Sequence, residues 1–174
     1  MKYLVKFFVV TFFLLVCTNS FAEQKIVVLD LTYALNSSKA GKGAQDYLKK
    51  ATKDNIKKFT DMENALKKEE ADLLSKKTVL SKEEYTKKSD ALRKKVIDYQ
   101  SHRRTALDKI VNQRKDARNT LIKTIEPILD TYIKENNISM VLDKKNILGG
   151  NQEDDITKII VEKLDKQLPS INLK

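Results

Sequence analysis

Few side chains in this sequence are suited to catalysis. His102 is the only histidine and Cys17 the only cysteine, so a zinc site built from several histidine or thiolate ligands is excluded. Ser101 adjoins His102, but adjacent positions on a helix point about 100° apart. The two side chains therefore do not form a nucleophile and its base.

Two further groups of residues call for a chemical interpretation. Gly41-Lys42-Gly43 lacks the earlier glycine and the following Ser or Thr of a phosphate-binding loop, so ATP-driven action is not expected. The acidic residues near the C-terminus suggest calcium, but their spacing differs from that of an EF-hand loop, and strand-end or helix-cap roles fit better. This cluster comprises Asp143, Glu153, Asp154 and Asp155. We expect no enzyme activity, no cofactor and no metal.

The first 22 residues predict an export signal. Lys2 and Lys6 precede an apolar run at residues 7–16, and the small residues Ser20 and Ala22 precede Glu23. This order is typical of a secretory signal peptide cleaved after Ala22. The apolar run is also shorter than the roughly 20 residues that a membrane-spanning helix requires.

Two other interpretations of this segment stay open. The apolar run could be retained as an anchor, and Cys17 could be acylated as in a lipoprotein. Lipoprotein processing favours a small residue before the cysteine, and Val16 is not small. Cleavage after Ala22 therefore explains the pattern better.

The remaining chain, residues 23–174, is basic and has no cysteine. The net charge of the whole sequence is +10, and removal of Lys2 and Lys6 leaves +8. An exported chain without cysteine has no disulfide to stabilise it. Aromatic residues are also few, with Phe59 as the only phenylalanine after the signal. We therefore expect partner subunits to complete the hydrophobic core.

The central residues 44–136 predict a long helical hairpin. They contain no glycine and one proline, Pro127, which is expected to kink the second helix. Ser81 and Glu84 match a capping box that starts this helix, so the hairpin tip should lie at residues 77–81. Apolar residues recur at heptad spacing on both helices, but polar residues interrupt them, which indicates a loose seam. The stripes are Leu48, Phe59, Met62, Leu66, Leu73 and Leu80, then Tyr85, Leu92, Val96, Tyr99, Ala106, Ile110 and Ala117.

The two ends of the chain predict a small body. A β-branched run at residues 25–30 predicts a strand, and residues 31–35 predict a helical turn or two. Gly41 and Gly43 predict an interruption before the hairpin. Residues 138–142 and 146–148 predict two further strands in a hairpin, and Asp154-Asp155 should cap a last helix from Ile156 to about Leu168.

The predicted fold class is therefore α+β, mostly α. A small β body, residues 23–43 and 137–174, carries a long antiparallel helical arm, residues 44–136, within a single domain. Three short strands are marginal alone, and the arm cannot bury its stripe on two sides, so we expect a symmetric oligomer.

Most of the surplus positive charge lies on the arm. Two basic clusters, Arg93-Lys94-Lys95 and Arg103-Arg104, are candidate contacts with acidic partners. A solvated helix surface with mixed ion pairs explains the same residues. Nucleic acid is not an expected partner, because the protein is exported and carries no recognition motif.

The order of these parts resembles the Skp/OmpH family of periplasmic chaperones. The resemblance rests on the signal peptide, the strand ending in Asp30, Gly41 and Gly43 before a basic arm, a second Val-Leu-Asp strand end at Asp143, and Asp155-Ile156-Thr157 at the last helix. It covers essentially the whole mature chain. Each piece alone is weak, but their order and spacing together are fairly specific.

The resemblance implies a periplasmic homotrimer in which strands from three subunits form the body. Three arms would enclose a cavity that holds unfolded outer-membrane proteins without ATP and prevents their aggregation. It also implies binding of lipopolysaccharide or anionic lipid through basic residues of the arms. The shared body should contain Ile26, Val28, Met140 and Leu142. The alternatives are an adaptor coiled coil of the cell envelope and a cationic lipid-binding envelope protein.

Overall fold

A computed structural model describes residues 24–173, in which the two ends of the chain form a body and the middle forms one long arm. The predicted signal peptide lies outside the described residues. The elements, in order, are β1 (Lys25–Leu29), α1 (Leu31–Ser37), α2 (Lys39–Ser75), α3 (Lys82–Glu135), β2 (Ile138–Asp143) and α4 (Thr157–Gln167). The α+β class with a helical hairpin arm is confirmed.

The body is built on a parallel pair of strands. In β1 and β2, Ile26 lies opposite Met140 and Val28 opposite Leu142. Side chains alternate between the two faces of a strand, and one face buries Val27 against α1, α3 and α4. Asp30 caps α1 by accepting a hydrogen bond from the backbone N–H of Tyr33 at 2.7 Å. Both ends of the chain are therefore needed to complete one core.

The predicted hairpin of strands at the C-terminal end is wrong. After β2 the side chain of Asp143 accepts a hydrogen bond from the backbone N–H of Lys145 at 3.2 Å and starts a 3₁₀ turn. Leu148 in the predicted third strand is fully exposed. The neighbour of β1 on its other side is instead Ile156, whose N–H donates to the carbonyl of Val28 at 2.9 Å.

The start of the arm also differs from the prediction. α2 begins at Lys39, capped by Ser38, so Gly41 and Gly43 lie inside the helix and do not interrupt it. The side chain of Asp165 in α4 accepts a hydrogen bond from the backbone N–H of Lys39 at 2.6 Å. Gly41 faces the end of α1, where a Cβ would lie 1.8 Å from the carbonyl oxygen of Leu35. The glycine is needed for close packing of two helices.

The arm follows the predicted seam. The apolar residues of both heptad stripes are buried or half-buried, and the ring of Phe59 packs edge-on against that of Tyr99 with 6.0 Å between centroids. The capping box of Ser81 and Glu84 is present at the start of α3. α3 has 54 residues against 37 in α2, so its last part, which continues through Pro127, packs on the body instead.

The last residues of the chain join the arm to the body. Leu173 is buried against Ala44, Leu48 and Ala117 at the base of the arm. The side-chain amide of Gln113 on α3 donates a hydrogen bond to the carbonyl of Leu173. The tail after α4, which follows the last helix of the body, therefore packs on both arm helices and stabilises the base of the arm.

Gly41→Ala is expected to lower the free energy of unfolding by about 1–3 kcal/mol, since the new methyl group must displace a helix backbone. Gly43→Ala is the matched control, because a Cβ there meets nothing within 4 Å. It should stabilise the fold by about 0.5–1 kcal/mol, as alanine favours helix. Urea unfolding followed by circular dichroism measures both values. Equal stabilisation by the two substitutions would contradict close packing at Gly41.

Candidate functional site

Within residues 24–173, one face of the two-stranded sheet is uncovered and apolar. Ile26 is 42% exposed, Met140 53% and Leu142 37%, whereas Val28 beside them is half-buried. The register of the parallel pair places these four predicted body residues on one face. Exposed apolar side chains grouped in this way are typical of interaction sites.

The basic residues that the sequence singled out on the arm do not form one cluster. Arg93 pairs with Asp90 on its own helix at 3.3 Å, and Lys95 reaches across the arm to Glu69 at 2.6 Å. Lys94 lies between them, and successive helix positions point about 100° apart. Arg103 and Arg104 lie further along α3 and are exposed. Contact of these five residues with an acidic partner stays a prediction.

Four other cations do come together, at the base of the arm. Lys49 and Lys53 on α2 and Arg114 and Arg118 on α3 line an open groove of about 800 Å³, which we call the root groove. All four side chains are exposed. The fifteen lining residues include no carboxylate. Its complete lining is Thr32, Leu35, Asn36, Gly41, Ala44, Gln45, Leu48, Lys49, Thr52, Lys53, Ile56, Arg114, Ala117, Arg118 and Leu121.

The root groove was not predicted, because its basic residues are not consecutive in the sequence. Consecutive residues diverge around a helix, whereas residues four apart share a face. The pairs Lys49/Lys53 and Arg114/Arg118 have that spacing. Neither arginine has an acidic residue three or four positions away, and the same holds for Lys53. Basic residues four positions apart, with few acidic residues three or four positions away, are the pattern that would have predicted the groove.

Two of the four acidic residues near the C-terminus are paired with lysines. Asp143 lies 2.9 Å from Lys145, and Asp155 lies 2.6 Å from Lys144. Partial burial opposes ionisation of Asp155, but hydrogen bonds from Lys144 and Thr157 outweigh it, so the pKa of Asp155 is lowered. Asp143 therefore has a strand-end role, and Asp155 also accepts a hydrogen bond from the backbone N–H of Thr157 at 2.9 Å. The predicted cap by Asp154-Asp155 differs from the structure, in which the N-cap residue of α4 is Ile156 and makes no side-chain capping hydrogen bond.

Residues 24–173 contain neither a metal-binding cluster nor a helix that could span a membrane. No group of three or more His, Cys, Asp or Glu side chains in this range is arranged to hold a metal ion. No helix in the same range combines the length and the apolar character needed to cross a bilayer.

Comparison with protein families identifies the fold. The sequence model of the family described as outer membrane protein (OmpH-like) matches residues 25–164, which include both strands, the whole arm and most of α4. The chain belongs to the OmpH-like family. The tail that packs on the base of the arm lies beyond the end of this match. No curated protein matches the chain.

A solved structure supports the same fold. The crystal structure of a Caulobacter crescentus protein assigned as an OmpH-like outer membrane chaperone superposes with a TM-score of 0.78 at 19% identity. The alignment covers 86% of this chain and 88% of that protein. At this level of identity the similarity shows a shared fold.

The ion pair of Asp155 should make stability depend on pH. Because its pKa is lowered, the carboxylate contributes stability above the usual value of 3.8, and this contribution is lost as the pH falls through the lowered pKa. Asp155→Asn should lower the urea midpoint at pH 7 and flatten its decline at acid pH. Asp154→Asn removes the same charge from the neighbouring residue and serves as the control. Parallel pH profiles for Asp155→Asn and the wild type would contradict this role.

Proposed function

We propose that this protein is an ATP-independent holdase that binds unfolded outer-membrane proteins in the periplasm and prevents their aggregation. The observation that carries the proposal is the body-and-arm fold of an OmpH-like chain, in which a long arm projects from a body with an uncovered apolar sheet face. A single arm of this shape presents surfaces without enclosing anything. Several arms on a shared body would form a cavity.

The sheet face supports assembly through the body. Two strands alone are marginal in water, and this pair leaves Ile26, Met140 and Leu142 exposed on one side. The outer edge of β2 also lacks a neighbouring strand within residues 24–173. Contact between copies of the chain would bury the exposed apolar face and pair the free edge of β2. We propose a homotrimer, in which the three bodies join and the three arms point the same way.

Binding on such arms would rest on many weak contacts. Exposed apolar side chains are dispersed along the arm among charged ones, as at Ile56, Ile97 and Val111. Each contact alone is weak, but contacts on several linked arms raise the effective concentration of the next one. An unfolded client would therefore be held tightly overall and released without an energy source. Binding of lipopolysaccharide or anionic lipid to the same arms stays a prediction.

The holdase proposal predicts suppression of client aggregation. Residues 23–174 should keep a urea-unfolded outer-membrane β-barrel protein from aggregating after dilution, at a ratio of about three chains to one client and without nucleotide. Aggregation is followed by the increase in light scattering with time. An unrelated exported protein of similar charge is the control. Aggregation as fast as in buffer would favour the adaptor interpretation.

The assembly proposal predicts that Met140→Lys dissociates the oligomer. Met140 is 53% exposed in the single chain, so a lysine there should leave the fold of each subunit intact while placing a charge in the subunit interface. Light scattering coupled to gel filtration should show the mass falling from three chains to one. Leu148→Lys, at a fully exposed position outside both strands, should leave the mass unchanged. An unaltered trimer for Met140→Lys would place the interface elsewhere.

A further inference from the structure

We infer that the root groove is a binding site for an extended client segment that carries acidic side chains next to apolar ones. The inference rests on the proposed function, because it names where on the arm such a client would bind. The volume of about 800 Å³ is of the size that takes a few residues and is far too small for a folded partner.

The floor of the groove is apolar and continuous with the protein core. Leu35, Leu48 and Leu121 line it and are themselves buried, while Ile56 at its edge is 64% exposed. An apolar side chain of a client that entered the groove would cover this exposed isoleucine. Burial of apolar surface then favours binding.

The rim of the groove is positively charged without internal compensation. Some lysines elsewhere on the arm do pair with carboxylates, as in Lys67–Glu63 and Lys76–Asp72, both at 2.7 Å. Among the ion pairs found in residues 24–173, none includes a cation of the root groove. Like charges four residues apart destabilise a helix. The two such pairs that line this groove are therefore unfavourable for folding and suited to an acidic ligand.

The polar side chains of the lining favour a peptide over a lipid. Thr32, Asn36, Gln45 and Thr52 also line the groove. The amide of Gln45 donates to Asn36 Oδ1 at 2.9 Å, and each of these amides has further hydrogen-bonding capacity. An extended peptide backbone offers both N–H and C=O groups to such partners, whereas an acyl chain offers neither. We therefore assign the groove to a polypeptide.

The same surface continues along α3 towards the tip of the arm. Residues seven apart on a helix nearly coincide in direction, so Ile97, Arg104 and Val111 follow Arg118 on one face. Ile97 is 59% exposed and Val111 63%. This face therefore alternates apolar and cationic side chains over roughly 30 Å at 1.5 Å per residue. A client bound in the groove can continue along it in extended form.

Charge reversal at the groove tests the inference with a matched control on the same helix. Lys49→Glu/Lys53→Glu changes two lysines that line the groove. Lys50→Glu/Lys57→Glu makes the same change in net charge nearby, at exposed lysines outside the lining. Both variants are made in the mature chain, and circular dichroism with urea unfolding establishes that each is folded.

The probe is a fluorescent peptide of about ten residues that alternates aspartate with phenylalanine and valine, compared with the same peptide carrying lysine in place of aspartate. Fluorescence anisotropy should show that the wild type binds the acidic peptide at least tenfold more tightly than the basic one. The groove variant should lose at least tenfold in affinity for the acidic peptide, and the control variant less than threefold. Ile56→Asn, at an exposed position, should weaken binding of both peptides.

Several outcomes would overturn the inference while leaving the holdase proposal intact. If wild type suppresses client aggregation but both double variants bind the acidic peptide equally, clients bind elsewhere on the arm. If phosphatidylglycerol vesicles bind at the groove, as judged by the same variants, and the peptide does not, the ligand is a lipid. If a photo-cross-linker at position 56 joins two subunits without peptide, a second copy covers the groove. Failure of the wild type to suppress aggregation would instead overturn the proposed function.

Discussion

The whole structure depends on the pairing of two short strands drawn from opposite ends of the chain. β1 and β2 are parallel, and parallel strands require a long connection between them. Here that connection is the entire arm. The pairing closes the base of the hairpin, positions α1 and α4 on one face of the sheet, and leaves the other face without a cover. Arm geometry and subunit assembly therefore both follow from one small sheet.

The contacts at the base of the arm explain how so small a body holds so long a projection. Asp165 of α4 accepts a hydrogen bond from the first residue of α2, Gly41 lets α2 pack on α1, and Leu173 from the tail is buried between the two arm helices. The root groove lies at this same base. A client segment bound there would contact residues whose positions the body fixes, whereas contacts nearer the tip lie on a thinner, two-helix seam.

Local patterns predicted most of the elements, and the errors have physical causes. The capping box at Ser81, the heptad stripes and the β-branched strands are local signals, and the structure contains each of them. The parallel pairing was missed because strand partners more than a hundred residues apart leave no local signal. The predicted interruption at Gly41 is wrong, because this glycine lies inside α2 and allows close packing on α1. The root groove was missed because its four cations come from two helices and lie together only after the hairpin forms.

The central claim is that one unfolded client is held between the arms of several joined subunits, and the stoichiometry of the complex tests it most directly. Native mass spectrometry of residues 23–174 mixed with a urea-diluted outer-membrane barrel protein would give the number of chains in each complex. The account predicts three copies of this chain with one client, and three copies without it. A complex of one copy with one client, or a single chain that forms no complex, would contradict it.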